Sequence, residues 1–186
     1  DIMLESVEGN LLAADQLVEK LVLTYGAEPI SEHNILAVIS DQADGEIFDL
    51  MQAVYEGDQY RALHWLSLLK NKGQEPTIVL WFLLKELHLL RKLFAATAAG
   101  QPAQQAVLQS GVPKFRHQDT LLFWRRLEPS INQALLDALF NASYQIELNI
   151  KGLQTSFCPW YGLSLLIHTL SCADIGILPE FLFTAE

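Results

Sequence analysis

The sequence predicts an all-α protein, and three observations carry that expectation. Apolar residues recur at three- and four-residue spacing in almost every segment, without strand-like alternation. The breaks between segments fall at Gly and Pro, where helices stop and start. Of the 186 residues, 51% are apolar and 18% charged, against roughly a quarter charged in an average soluble domain, which excludes disorder. At about 150 residues per domain, the length gives one full domain or one plus a fragment. So much apolar surface on a chain of this size predicts a partner interface.

The helices follow in order. The opening Ile2, Met3, Leu4 and Val7 read as the last turns of an amphipathic helix, and numbering starts at Asp1 without a methionine, which predicts a chain cut from something longer. After Gly9, with Asn10 as N-cap, a helix is expected to Tyr25. Gly26 and Pro29 end it, and Ser31 can cap a short helix to Ser40. The polar stretch 41–45 marks a boundary, giving a small helical unit over 1–44 and a helical bundle over 45–186. Helices 46–55 and 58–72 are joined only by Glu56 and Gly57, which suits antiparallel neighbours.

A helix over 76–98 starts with Pro in its first turn, where the missing N–H costs little. Its stripe Val79, Leu83, Leu87, Leu90 and Phe94 is widened by Leu80, Trp81, Leu84 and Leu89, so it is expected to be covered on more than one side, with Lys85, Glu86, Arg91 and Lys92 on a wet face. A short segment 103–109 follows, then, after Pro113, a helix carrying Leu121, Leu122, Trp124 and Leu127. Ser130 is the expected N-cap of another long helix, 131–151. Its stripe of Ile131, Leu135, Leu139, Ala142, Ile146 and Ile150 belongs to the core, and Glu147 with Lys151 forms an i, i+4 pair. A last helix, 159–171, precedes the apolar tail Ile175 to Phe183.

The chemistry that the sequence lacks is equally informative. Twenty-two acidic against 12 basic residues give a net charge of -10, and such a chain repels phosphate. Two cysteines, Cys158 and Cys172, form no disulfide framework and read as free buried thiols in a reducing compartment. The longest unbroken apolar run ends at Lys85 and Glu86, far short of the roughly 20 residues of a membrane span. No glycine precedes a lysine, so there is no phosphate-binding loop, and neither a nucleophile elbow nor a His-Glu-x-x-His pair occurs. His33, His64, His88, His117 and His168 fall in separate segments. His168 and Cys172 share a helix face, but two ligands cannot close a tetrahedral zinc site. Lys114, Arg116, His117, Arg125 and Arg126, interleaved with Phe115, Phe123 and Trp124, form the densest basic cluster. A solvated face or a dock for an acidic partner explains it as well as nucleic acid does. Trp65, Trp81 and Trp160 can be core rings or interface anchors.

Several stretches then resemble one family in succession. Glu8-Gly9-Asn10-Leu11-Leu12-Ala13-Ala14 with Leu17, Glu19, Lys20 and Leu21 resembles the lid-domain helix of the delta subunit of the bacterial DNA polymerase III clamp loader. Ile47-Phe48-Asp49-Leu50, Ala53-Val54, Gly57-Asp58, Arg61-Ala62-Leu63, Gly73 and Glu75-Pro76 resemble the start of its collar domain. Leu135, Ala138-Leu139, Glu147, Lys151-Gly152, Trp160 and Leu163 to Leu166 are similar to its closing helices. Where related ATP-binding subunits carry Gly-Asp-x-Arg, this chain has Gly9-Asn10-Leu11-Leu12, and Leu12 cannot donate to a phosphate.

The resemblance implies a partial lid over 1–44 and a collar over 45–186, acting by position within the polymerase holoenzyme. It implies no catalytic residue, no cofactor and no metal. The implied partners are the delta-prime and ATPase (gamma/tau) subunits, with the sliding clamp reached only through an N-terminal module that this chain lacks, no direct nucleic-acid binding, no membrane, and a cytoplasmic location. Trp81, Leu84 and Trp124 are the candidate contact residues. The tail echoes the clamp-binding peptide in Pro179-Glu180-Phe181-Leu182-Phe183 but lacks its glutamine, so a tail folded back on its own domain is expected. Two rivals remain: a helical-repeat adaptor, suggested by the run 57–63 although no second copy recurs at a fixed period, and a bundle metalloprotein.

Overall fold

Local chemistry sets most of the helix boundaries. The computed structural model describes residues 15, 18, 19, 21–23, 26 and 42–172. Positions 15, 18, 19 and 21–23 are helical, within the helix expected from Asn10 to Tyr25. The expected helix 31–40, Leu12 and the tail 175–183 lie outside the described residues. From residue 42 on, the order is α1 (Gln42–Glu56), α2 (Gln59–Asn71), α3 (Pro76–Ala98), α4 (Ala103–Gln109), a 3-10 turn (Lys114–Arg116), α5 (His117–Leu127), α6 (Gln133–Ile150) and α7 (Pro159–Cys172). The fold is all-α, with no strand among the described residues.

Three starts differ from expectation. Helix α1 begins at Gln42, so most of the polar stretch 41–45 forms its first turn. Helix α6 is capped by Asn132, whose side chain accepts from the Leu135 amide at 2.9 Å. Ser130 cannot serve, because its own amide and that of Ile131 still bond back to Leu127 at the end of α5. Asn132 is the first residue free of that turn, in extended conformation with φ −148°, as an N-cap requires. Helix α2, expected from residue 58, starts one residue later because Asp58 caps it, accepting from the Arg61 amide at 3.0 Å.

The core is a single cluster to which every one of these helices contributes. Helix α7 lies at its centre, in contact with α1, α2, α3 and α6. Its buried residues are Gly162, Leu163, Leu166, Ile167, Thr169, Leu170 and Ser171. Gly162 faces α6 with no room for a side chain: a Cβ there would lie 2.6 Å from Ile146 Cγ1 and 2.7 Å from the Phe157 ring. That explains a glycine inside a helix, where it costs about 1 kcal/mol relative to alanine. Of the expected stripe, Leu135, Leu139, Ala142 and Ile146 are buried on α6, whereas Ile131 is buried ahead of the helix and Ile150, at its end, is half-buried. Helix α3 packs on α6, α4, α7 and α1, so it is covered on several sides.

Candidate functional site

The basic cluster that stood out in the sequence turns inward. Arg126, on α5, reaches the carbonyl ends of two helices at once. It donates to Val54 O at 2.7 Å and Tyr55 O at 3.2 Å on α1, and to Leu170 O at 3.0 Å and Ser171 O at 2.5 Å on α7. The last carbonyls of a helix lack intrahelical donors and carry partial negative charge, and one guanidinium satisfies both ends here. Gly57 makes room for it. Its φ of +76° disfavours a side chain, and an added Cβ would sit 3.1 Å from the Arg126 guanidinium.

Arg116 is consumed in the same way. It donates to Glu86 Oε1 at 2.9 Å and to the Tyr55 hydroxyl, and its guanidinium lies 5.5 Å from the Tyr55 ring centre. Glu86, expected on a wet face of α3, is 4% exposed. At 100° per residue it falls among Val79, Leu83 and Leu90, which are buried with it. Burial pushes its carboxyl up to about 7, against the opposing pull of the Lys85 cation. Its second oxygen has no hydrogen-bond partner among the described residues. The His117 ring is also used locally, 2.7 Å from Val112 O. Of the cluster, only Lys114 and Arg125 stay exposed.

The three candidate contact residues separate. Trp124 is 1% exposed and belongs to the core, which corrects its assignment as a surface contact. Thr120, Phe123, Trp124 and Leu127 form the buried face of α5, whereas Leu122 is exposed. The 3.6-residue period groups these four, so the signal was present in the sequence. Trp81 and Leu84, on α3, lie outside the fully buried core: Trp81 is 53% exposed and Leu84 half-buried. The Trp81 ring meets Phe82 edge-on at 4.9 Å, Phe82 meets Phe48 of α1 at 6.3 Å, and Lys85 covers Trp81 at 4.5 Å. Phe48 and Ile78 are exposed beside them.

Farther along α3, Arg91 donates to His88 Nδ1 at 3.0 Å and lies 4.7 Å from the Phe140 ring centre on α6. His88 lies tilted against the same ring, 5.0 Å between centres. Burial, with the Arg91 and Lys92 cations, holds the His88 imidazole below its ordinary value. Because arginine can only donate, Nδ1 accepts and the ring proton lies on Nε2. The result is an aromatic and cationic surface along one helix, suited to contact rather than to bond making.

Other expectations resolve plainly. Cys158 and Cys172 are exposed rather than buried, because one precedes α7 and the other ends it; Cys172 Sγ lies 3.3 Å from Gln59 Oε1. Among the described residues, no group of three or more His, Cys, Asp or Glu could hold a metal, and no helix is long and apolar enough to cross a membrane. The clefts beside Arg126 and over Leu121 have no Ser, Cys, Thr or Lys in their walls.

Residues 44–157 match the family described as DNA polymerase III delta subunit, C-terminal domain. The chain is 37% identical over 86 residues to DNA polymerase III subunit delta of Escherichia coli (strain K12), a match covering 46% of this chain and 25% of that protein. It is 26% identical over 144 residues to the protein of the same name from Haemophilus influenzae (strain Rd), covering 76% of this chain and 40% of that one. The chain thus spans less than half the length of these relatives. The family match runs from the first turns of α1 through the end of α6, taking in the α3 surface and both inward arginines, and the chain belongs to the family formed by the C-terminal domains of DNA polymerase III delta subunits.

Proposed function

We propose that this chain is the assembly end of a clamp-loader delta subunit. Residues 45–186 act as a helical collar that packs beside other subunits of the loader ring, and residues 1–44 are part of a lid. The observation that carries the reading is an open aromatic face, Phe48, Ile78 and Trp81 with half-buried Phe82 and Leu84, on a domain of this family. Interfaces are enriched in aromatic residues and Arg, and an exposed cluster of this kind calls for a covering surface.

The mechanism is positional. The collar holds the delta protein in the ring, and the lid passes motion between ATP-binding neighbours and the clamp-opening module, so the chain contributes to a polymerase holoenzyme without an active site of its own. Its partners are the delta-prime and gamma/tau subunits in the cytoplasm, and the sliding clamp is reached only through the N-terminal module. Direct nucleic-acid binding is disfavoured by the charge of -10 and by the internal use of Arg116 and Arg126. Trp81 and Leu84 are the proposed contact residues, while Trp124 belongs to the core.

Native mass spectrometry of the chain mixed with delta-prime and ATPase subunits of its own source tests this reading. A five-subunit ring containing one copy is expected, and Trp81→Ala or Leu84→Ala reduces its abundance. A chain that stays alone while the other subunits assemble contradicts it.

A further inference from the structure

Helix α3 distributes its charges unevenly. Its one acidic residue, Glu86, is buried against Arg116, while Lys85, Arg91 and Lys92 are exposed and bond to no carboxylate among the described residues. Elsewhere Arg61 pairs with Glu56, Lys72 with Glu46, Lys151 with Glu147, and Arg126 with four carbonyls, while Lys70, Lys114 and Arg125, exposed without a carboxylate partner among the described residues, are spread over three elements. No other described helix carries three cations that pair with no carboxylate among the described residues, and this one does so on a chain of net charge -10.

The placement is linear. Trp81, Lys85, His88 and Lys92 are spaced four, three and four residues apart and so form one ridge along α3. Arg91 and Leu84 lie on its shoulder, where Arg91 and Phe140 form a second cation–ring pair. Because Arg91 donates to His88 Nδ1, the remaining His88 proton sits on Nε2 as a donor. The ridge therefore offers only donors and aromatic faces to whatever lies on it.

We propose that this ridge docks an acidic amphipathic helix of a neighbouring protein in the ring. Its Asp and Glu side chains, one turn apart, meet Lys85, Lys92 and Arg91, and an apolar residue covers Trp81 and Leu84. The inference rests on the assembly reading and names the chemistry of the partner. Charge complementarity selects an acidic occupant, and the straight ridge selects a helix. The exposed Trp81, Ile78 and Phe48, together with the overall negative charge, favour protein over nucleic acid.

Carbodiimide cross-linking, which joins a lysine amine directly to a carboxylate, tests the proposal on the ring reconstituted with the full-length delta protein. Lys85 and Lys92 are expected to link to carboxylates three or four residues apart on one segment of a partner. Combined Lys85→Glu, Arg91→Glu and Lys92→Glu substitution is expected to weaken incorporation at least about tenfold at low salt, as reversed interfacial charges do, with melting unchanged. Links only to a second copy of this chain overturn the proposal, as does protection of both lysines by added single-stranded DNA without any carboxylate link. If the unaltered protein joins the ring and the charge-reversed one joins equally well, the docking inference alone is wrong. If the unaltered protein never joins, the assembly reading falls and takes the inference with it.

Discussion

Arg116 and Arg126 point inward and give their N–H groups to a carboxylate, a phenol and four backbone carbonyls, whereas Lys85, Arg91 and Lys92 on α3 point outward, and Lys85 and Arg91 touch only aromatic rings and a histidine. Both regions mix cations with Phe and Trp, and in the sequence the first is the denser. The difference between them is what faces each cation across the fold. Two helix ends and a buried acid wait for the arginines of the first region, and no carboxylate among the described residues waits for the cations of the second. Cation density in a sequence is thus a poor guide to binding, and cations left without a carboxylate are a better one.

The largest break in the comparison comes from Arg126→Met. It takes the guanidinium away from four carbonyls at the ends of α1 and α7, of which Val54 O keeps the Gly57 amide at 3.2 Å, and is expected to cost about 4 kcal/mol, lowering the melting temperature by roughly 8–16 °C for a domain of this size. Arg126→Lys keeps the charge but not the fork that spans four acceptors, and it recovers less than half of the loss. Thermal denaturation followed by circular dichroism checks both.

Glu86 gives the next effect. Its carboxyl is raised to about 7 from an ordinary 4.5, so the folded state holds the proton more tightly than the unfolded one. Below pH 4.5 both states are protonated and the stabilisation is complete. As pH rises toward 7 the unfolded chain releases its proton first, and stability falls by on the order of 3 kcal/mol at most. Urea unfolding at pH 5 and pH 7.5 should show that decline in the natural chain and a much flatter profile in Glu86→Gln. Equal slopes in the two proteins would remove Glu86 as the cause.

Smaller still is Gly162→Ala, which forces a Cβ against Ile146 and Phe157 and is expected to cost about 2 kcal/mol by overpacking. A paired Ile146→Val substitution restores part of it. At the bottom of the scale, Lys85→Glu and Lys92→Glu change stability by less than about 0.5 kcal/mol, because both side chains are exposed. A large loss of stability there would mean that the α3 surface is part of the fold.

Much of the architecture was legible from residues alone. Pro76 announces α3, Glu56 and Gly57 mark the short turn between α1 and α2, and the stripe from Leu135 to Ile146 defines the inner face of α6. These are local signals, written within one or two turns. What escaped was nonlocal. The acceptors of Arg126 lie more than 40 residues away in both directions, so nothing near it in sequence marks it as a helix cap. Glu86 looked solvated because its partner Arg116 comes from the 3-10 turn. Trp124 was misplaced for a different reason: the adjacent Leu121 and Leu122 blur a periodicity that does place Trp124 with Phe123 and Leu127. Trp81, which widened the apolar arc of α3 in the sequence, is 53% exposed, because it lies at the edge of that arc where no neighbouring described helix covers it.

Hydroxyl-radical footprinting of the chain, alone and mixed with delta-prime and ATPase subunits, reads both regions in one experiment. In the isolated chain Trp81 should oxidise readily and Trp124 hardly at all. On assembly Trp81 should become protected while Trp124 stays unreactive. Equal oxidation of Trp81 in the free and assembled chain would contradict the claim that the outward face of α3 is the surface the ring covers.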